Sequence, residues 1–243
     1  MSGYFDSLNR RARTTPLAQA PAVVRPPTPP VRRLTPGETP SEYAALREKL
    51  LVTANGKPFK TLVFSGCDGG EGCTQVVREF AEMLASSGLS VLLVDADLYA
   101  GSLTATVGTG GANLAESVST GRRPAATSWG KGKLTIVPSP ASAADKEHFF
   151  RSPEFAAWLD TQRAAYDYVL LDAPPLLKFA DGTLIGRLCD ALIIVAKAEA
   201  TQRESLARVR DQLQRAGVNL VGAILTRDHD AIPAILRPYV SAE

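Results

Sequence analysis

The sequence predicts an α/β fold, a mostly parallel sheet flanked by helices, and three observations carry that expectation. Apolar runs of strand length recur at Thr61–Phe64, Ser90–Val94, Tyr168–Leu171, Ala191–Val195 and Leu220–Leu225. Segments with apolar residues at helical spacing separate them. The runs do not alternate with polar residues, so strands made of them need cover on both faces, as in a parallel sheet between helix layers.

Residues 1–40 stand apart from that pattern. Pro16, Pro21, Pro26, Pro27, Pro29, Pro30, Pro36 and Pro40 exclude packed helices, and the segment has little to bury. It reads as an extended, disordered Pro/Arg-rich arm, with residues 41–243 as the folded domain. Tyr4, Phe5 and Leu8 ahead of Arg10 and Arg11 suit either a short lipid-surface anchor or a plain solvated tail.

Thr39-Pro40-Ser41-Glu42 opens a helix whose apolar positions are Tyr43, Leu46, Leu50 and Leu51. The strand Thr61–Phe64 breaks into a glycine-rich loop. A helix carrying Val76, Val77, Phe80, Met83 and Leu84 follows and ends at Gly88. Next come a strand from Ser90 to Asp95, a short helix over Leu114–Val118, and a strand over Lys133–Val137. An amphipathic helix over Pro153–Ala165 leads to the strand Tyr168–Asp172. The strand at Ala191–Val195, a helix from Gln202 to Arg215 and the strand Leu220–Leu225 complete the order.

Composition narrows the function. A net charge of +2 over 243 residues, with 21% charged residues, argues against a dedicated nucleic-acid binder, so no nucleic acid is expected. The longest apolar run, Ala191–Ala196, is strand-sized and too short to span a bilayer. The N-terminus lacks the charged-then-apolar pattern of a signal peptide. Cys67, Cys73 and Cys189 lack metal-ligand spacing and fit a reducing cytoplasm.

The loop after the first domain strand is Ser65-Gly-Cys-Asp-Gly-Gly-Glu-Gly-Cys-Thr74. Strand, glycine-rich loop and helix together aim backbone N–H groups and a helix N-terminus at an anion. The phosphate-loop pattern asks for G-x-x-x-x-G-K-[ST]. Gly72 and Thr74 satisfy its end, but Cys73 stands at the lysine position and Cys67 at the first glycine. Losing one partner of a close charge pair costs about 2–5 kcal/mol, roughly 30- to several-thousand-fold in affinity or rate. Taken alone, the loop fits either phosphate binding or a tight turn that binds nothing. Asp95, Asp97 and Asp172 fall at or just past strand ends, on the edge where ligands of open parallel sheets sit. With the Thr74 hydroxyl they suit the magnesium side of a nucleotide site, one carboxylate holding the metal and another acting as base.

On these residues the chain resembles the bacterial tyrosine autokinases that control capsule and exopolysaccharide export. Val91-Leu-Leu-Val-Asp-Ala-Asp-Leu98 is similar to their second Walker motif, and Tyr166-Asp-Tyr-Val-Leu-Leu-Asp-Ala-Pro-Pro175 to their Walker B strand. Asp181, Cys189–Val195, Thr201–Glu204 and Ala216–Arg227 follow the closing pattern, and the blocks keep the family order from Ser41 onward. The resemblance implies a P-loop fold with a deviant Walker motif. It implies ATP bound at Gly69, Gly70, Glu71, Gly72, Cys73, Thr74 and Arg227, with Mg at Thr74, Asp95 and Asp172. Asp95 and Asp97 take the catalytic positions. The implied partner is an inner-membrane polysaccharide co-polymerase, which places the chain at the cytoplasmic face of the cell membrane, and self-association is also implied.

Four departures accompany the match. Besides Cys73, the second Walker motif continues with Tyr99 and Gly101 where the family has arginine and proline. The oligomerising helix keeps only Arg47, with Ser41 and Ala44 at its other positions, and Tyr239 alone stands for the C-terminal tyrosine cluster. The expectation is therefore a regulatory or interaction subunit of the export system, a pseudokinase whose ATP and Mg binding is weak or lost. One alternative is an active autokinase in which Lys178, Arg203 or a partner's lysine replaces the missing charge. The other is a positioning ATPase of the partitioning or division-site class, whose loop frame Asp68–Thr74 shares without its lysines. Cys73 has two readings, a reactive thiol of lowered pKa at a helix N-terminus or a small filler.

Overall fold

Each central strand divides its side chains between two apolar layers, because successive residues of a strand face opposite ways. The structure, a computed structural model, describes residues 32–34, 40–53, 59–107, 112–122, 126–129, 132–140 and 146–226. The order is β1 (Arg32–Leu34), α1 (Pro40–Thr53), β2 (Thr61–Gly66), α2 (Cys73–Ser86), β3 (Ser90–Asp95), α3 (Ser102–Val107), α4 (Leu114–Thr120) and β4 (Ala126–Trp129). It continues with β5 (Gly132–Val137), α5 (Lys146–Phe149), α6 (Pro153–Ala165), β6 (Tyr168–Ala173), α7 (Asp181–Leu188), β7 (Ala191–Lys197), α8 (Arg203–Arg215) and β8 (Leu220–Thr226).

The strands form one sheet in the order β1-β8-β7-β2-β6-β3-β5-β4. Six central strands run parallel, β1 extends one edge in parallel, and β4 closes the other edge antiparallel to β5. The mostly parallel sheet expected from the apolar runs is thus present. Leu62, Phe64, Val91, Leu93 and Leu170 pack beneath α2 with Val77, Phe80 and Leu84. Val63, Leu92, Val94, Val169 and Leu171 pack the opposite face with Phe155, Trp158, Ile185 and Leu213.

Five elements lie outside the sequence expectation. Arg32–Leu34 pairs with Ile224–Thr226 inside the segment read as an arm. The others are α3, β4, α5 and α7. In α7, Gly182 and Gly186 lower helix propensity. Packing favours them: a Cβ on Gly186 would stand 2.9 Å from Val218 and 3.0 Å from Leu192. Arg227, Tyr239 and Tyr4 fall outside the described residues, as does most of the segment 1–40.

Register places the candidate site. Phe64 pairs with Asp172, and Asp172 pairs with Asp95, so β2, β6 and β3 end level with one another. The glycine-rich loop and both strand-end carboxylates meet at that edge, where the sheet order turns back on itself.

Candidate phosphate-binding site

The loop from Gly66 to Thr74 is shaped by glycine where only glycine is comfortable. Gly69, Gly70 and Gly72 have φ of 98°, 86° and 82°. A side chain at these positions would strain the backbone. Gly72 caps α2 with no side-chain hydrogen bond, and the first turn of α2 carries no acidic residue. The N–H groups opening α2 are therefore left for an external anion.

Glu71 holds the loop from within. Its buried carboxylate accepts from the N–H groups of Cys67 (3.1 Å) and Asp68 (2.7 Å) through Oε1, and of Gly69 (2.8 Å) through Oε2. Its carbonyl accepts from Thr226 Oγ1 at 2.7 Å. The side chain is thus engaged by the loop itself, a use that the motif spacing does not signal.

A cavity of about 490 Å³ opens over the loop, lined by Gly70, Cys73, Thr74, Asp97, Asp172 and Lys178 among others. Thr74 Oγ1 donates to Asp172 Oδ2 at 2.6 Å. Asp172 is buried, which pushes its pKa up to about 7, and the neighbouring Asp95 and Asp97 add to the rise against the Thr74 bond. Asp97 Oδ1 accepts from the N–H groups of Tyr99 (2.9 Å) and Ala100 (3.0 Å). Asp95 is fully buried and accepts from the Thr104 hydroxyl and N–H and, at 3.2 Å, from the Asp97 N–H. It does not line the cavity, so of the two aspartates in the Asp95-Ala96-Asp97 run only Asp97 does.

A thiol takes the lysine's place. Burial raises the Cys73 pKa well above the ordinary thiol value, and the Asp172, Glu71 and Asp97 carboxylates raise it further. The reading of Cys73 as a reactive thiol of lowered pKa is therefore corrected: burial first, and the surrounding carboxylates after it, push the thiol up. Cys67 and Cys189 are pushed up to about 12 by burial, and all three cysteines are free.

Of the two replacement cations considered, Lys178 lines the cavity and Arg203 does not. Tyr99 stacks on Phe179 with ring centroids 3.8 Å apart and planes at 16°. This pair also borders the cavity and has no signature in the spacing.

The donors fit magnesium. That ion takes one or two protein oxygens plus waters and phosphate oxygens. Thr74 and Asp172 supply such a pair within hydrogen-bond distance, and Asp97 stands on the same cavity. No group of three or more His, Cys, Asp or Glu side chains that could hold a metal is found among the described residues. No helix among them is long and apolar enough to cross a membrane.

Comparison with known proteins agrees with this geometry. The AAA domain family model matches residues 59–220. The chain is 24% identical over 208 residues to the tyrosine-protein kinase CpsD of Streptococcus agalactiae serotype III, covering 80% of this chain and 85% of that one. It is 27% identical to the tyrosine-protein kinase YwqD of Bacillus subtilis, covering 76% and 79%. The kinase domain of Escherichia coli tyrosine kinase ETK superposes with a TM-score of 0.68 at 25% identity, covering 77% and 75%. The septum site-determining protein MinD of Pyrococcus horikoshii, complexed with Mg-ADP, shares the fold at a TM-score of 0.56 and 19% identity, covering 68% and 69%. The chain belongs to the AAA domain family, in the part of it that holds the bacterial tyrosine autokinases.

Proposed function

We propose that this chain is an autokinase-like component of an exopolysaccharide or capsule synthesis and export system. It binds ATP with magnesium, and phosphoryl transfer is slow or absent. Its role is that of a regulatory or interaction subunit docked on an inner-membrane co-polymerase at the cytoplasmic face. The tyrosine-protein kinases it resembles support the pathway.

The observation that carries the reading is Cys73, a protonated thiol where the family pattern has a cation, among Asp172, Glu71 and Asp97. The N–H groups of Gly70, Gly72, Cys73 and Thr74 would hold phosphate, and Thr74, Asp172 and Asp97 would hold magnesium. The metal, when bound, neutralises phosphate charge. The charge that develops during transfer still lacks its preorganised cation on the helix, so binding survives better than chemistry. Asp97, which lines the cavity, would meet an incoming hydroxyl, whereas Asp95 accepts from Thr104 and would hold the segment after β3.

Calorimetric titration with magnesium-ATP, beside Cys73→Lys and with a phosphotyrosine assay, tests this. Wild type binds weakly and transfers little, and Cys73→Lys binds about tenfold or more tighter. Brisk phosphotyrosine formation by the unmodified chain, lost in Asp97→Asn, would overturn the impairment. A positioning ATPase is less favoured, because the MinD likeness extends only to the fold.

A further inference from the structure

The geometry points to Lys178 as the phosphate-binding cation of this site, delivered from the β6–α7 turn instead of from α2. The inference rests on the nucleotide-binding reading above and names the residue that makes such binding possible without the lysine on the helix.

Three observations converge. Lys178 Nζ stands 3.8 Å from where a Cβ on Gly69 would lie, so the ammonium is beside the loop. Lys178 is the single cationic side chain among the described residues that line the cavity, which also carries Glu71, Asp97 and Asp172. It forms no ion pair among the described residues, so its charge is not already spent on a carboxylate.

The turn that carries it is fastened to the phosphate loop. Leu176 N–H donates to Gly66 O and Leu177 N–H to Cys67 O, each at 3.0 Å. Ser65 Oγ donates to Pro174 O at 2.7 Å. Lys178 N–H and Phe179 N–H both donate to Pro175 O, and Phe179 is pinned beneath Tyr99. The base of Lys178 is therefore fixed relative to Gly66 and Cys67, and only its flexible stem must order on binding. That lowers the entropic cost of placing the charge. A phosphate resting on the N–H groups that open α2 would have the ammonium on the Gly69 side and the Thr74–Asp172 pair on the other. The anion class is the one the functional reading above names, the polyphosphate of a nucleotide.

The test is magnesium-ATP titration of the full chain as wild type, Lys178→Ala, Lys178→Arg and Cys73→Lys/Lys178→Ala. Lys178→Ala should weaken binding by about 10- to 100-fold, the worth of one charge-assisted hydrogen bond. Lys178→Arg should stay within about threefold of wild type. The double variant should recover, because a lysine on α2 reaches the same phosphates. Lys178 is exposed, so Lys178→Ala should melt with wild type. If wild type binds and Lys178→Ala binds equally well, the lysine is a bystander, the inference falls and the functional reading stands. If wild type itself gives no binding, both fall. Loss in Lys178→Ala without recovery in the double variant assigns the effect to loop damage and also overturns the inference.

Discussion

Asp172 concentrates the physical tension of the site. It is a buried carboxylate with one hydroxyl donor, and two further aspartates stand close by. Its pKa in the fold is about 7, above the ordinary 3.8, so between those values the folded chain holds a proton that the unfolded chain has released. Stability therefore falls as pH rises from about 4 to about 7. Asp95 is shifted in the same direction by burial and adds to the trend. Asp172→Asn should remove most of it, melting about 5 °C or more above wild type at pH 8 and close to it at pH 4. A parallel pair of melting curves across that range would show this reading of Asp172 to be mistaken. Asp172 is thus a buried carboxylate whose desolvation a divalent cation would relieve, a common relation between strain and function.

At the scale of elements, close approach decides positions that propensity leaves open. Gly132 begins β5 directly under the α2–β3 turn, where a Cβ would lie 2.3 Å from Leu89 O and 2.4 Å from Ala85 O. Both atoms are backbone, so the turn or the strand must move. Gly132→Ala should destabilise by about 2–3 kcal/mol in denaturant unfolding, whereas Gly121→Ala, with open space around it, should show only the smaller cost of its positive φ. Equal losses in the two variants would sink the packing argument. The long elements were legible in sequence for a reason of the same kind. Leu62–Phe64, Ser90–Asp95 and Tyr168–Asp172 announce themselves through unbroken apolar runs, which only a sheet covered on both faces makes use of. The helix α7 was not legible. Its two glycines weaken the local signal, and their value lies in contacts with Val218, Leu192 and Leu176 from other elements.

For the whole molecule, the sheet acts as a frame that brings three loops to one edge. The loop after β2 supplies backbone donors, β6 supplies Asp172 and the Lys178 turn, and the segment after β3 supplies Asp97 and Tyr99. Ligand bound across these loops links them and should stabilise the fold as a unit. Magnesium-ATP at 100 times its dissociation constant should add about 2.7 kcal/mol, seen as a melting shift of roughly 5–10 °C. The shift should need magnesium and shrink in Thr74→Ala, which removes a metal-facing hydroxyl. A shift of full size with ATP in chelator would remove magnesium from the site.

The amino-acid order by itself determined the α/β sheet, the glycine loop and the aspartates at strand ends, because each is written in a few adjacent residues. Apolar periodicity, glycine spacing and a carboxylate after an apolar run are local patterns that survive without knowledge of neighbours. Only the tertiary structure decided that Glu71 turns inward onto the N–H groups of Cys67, Asp68 and Gly69, and that Asp95 serves Thr104. It also set Lys178 beside Gly69 and buried Cys73 among carboxylates, both of which raise its thiol pKa. These outcomes depend on which loops the sheet order makes neighbours, and on burial and charge that exist only once the chain has folded.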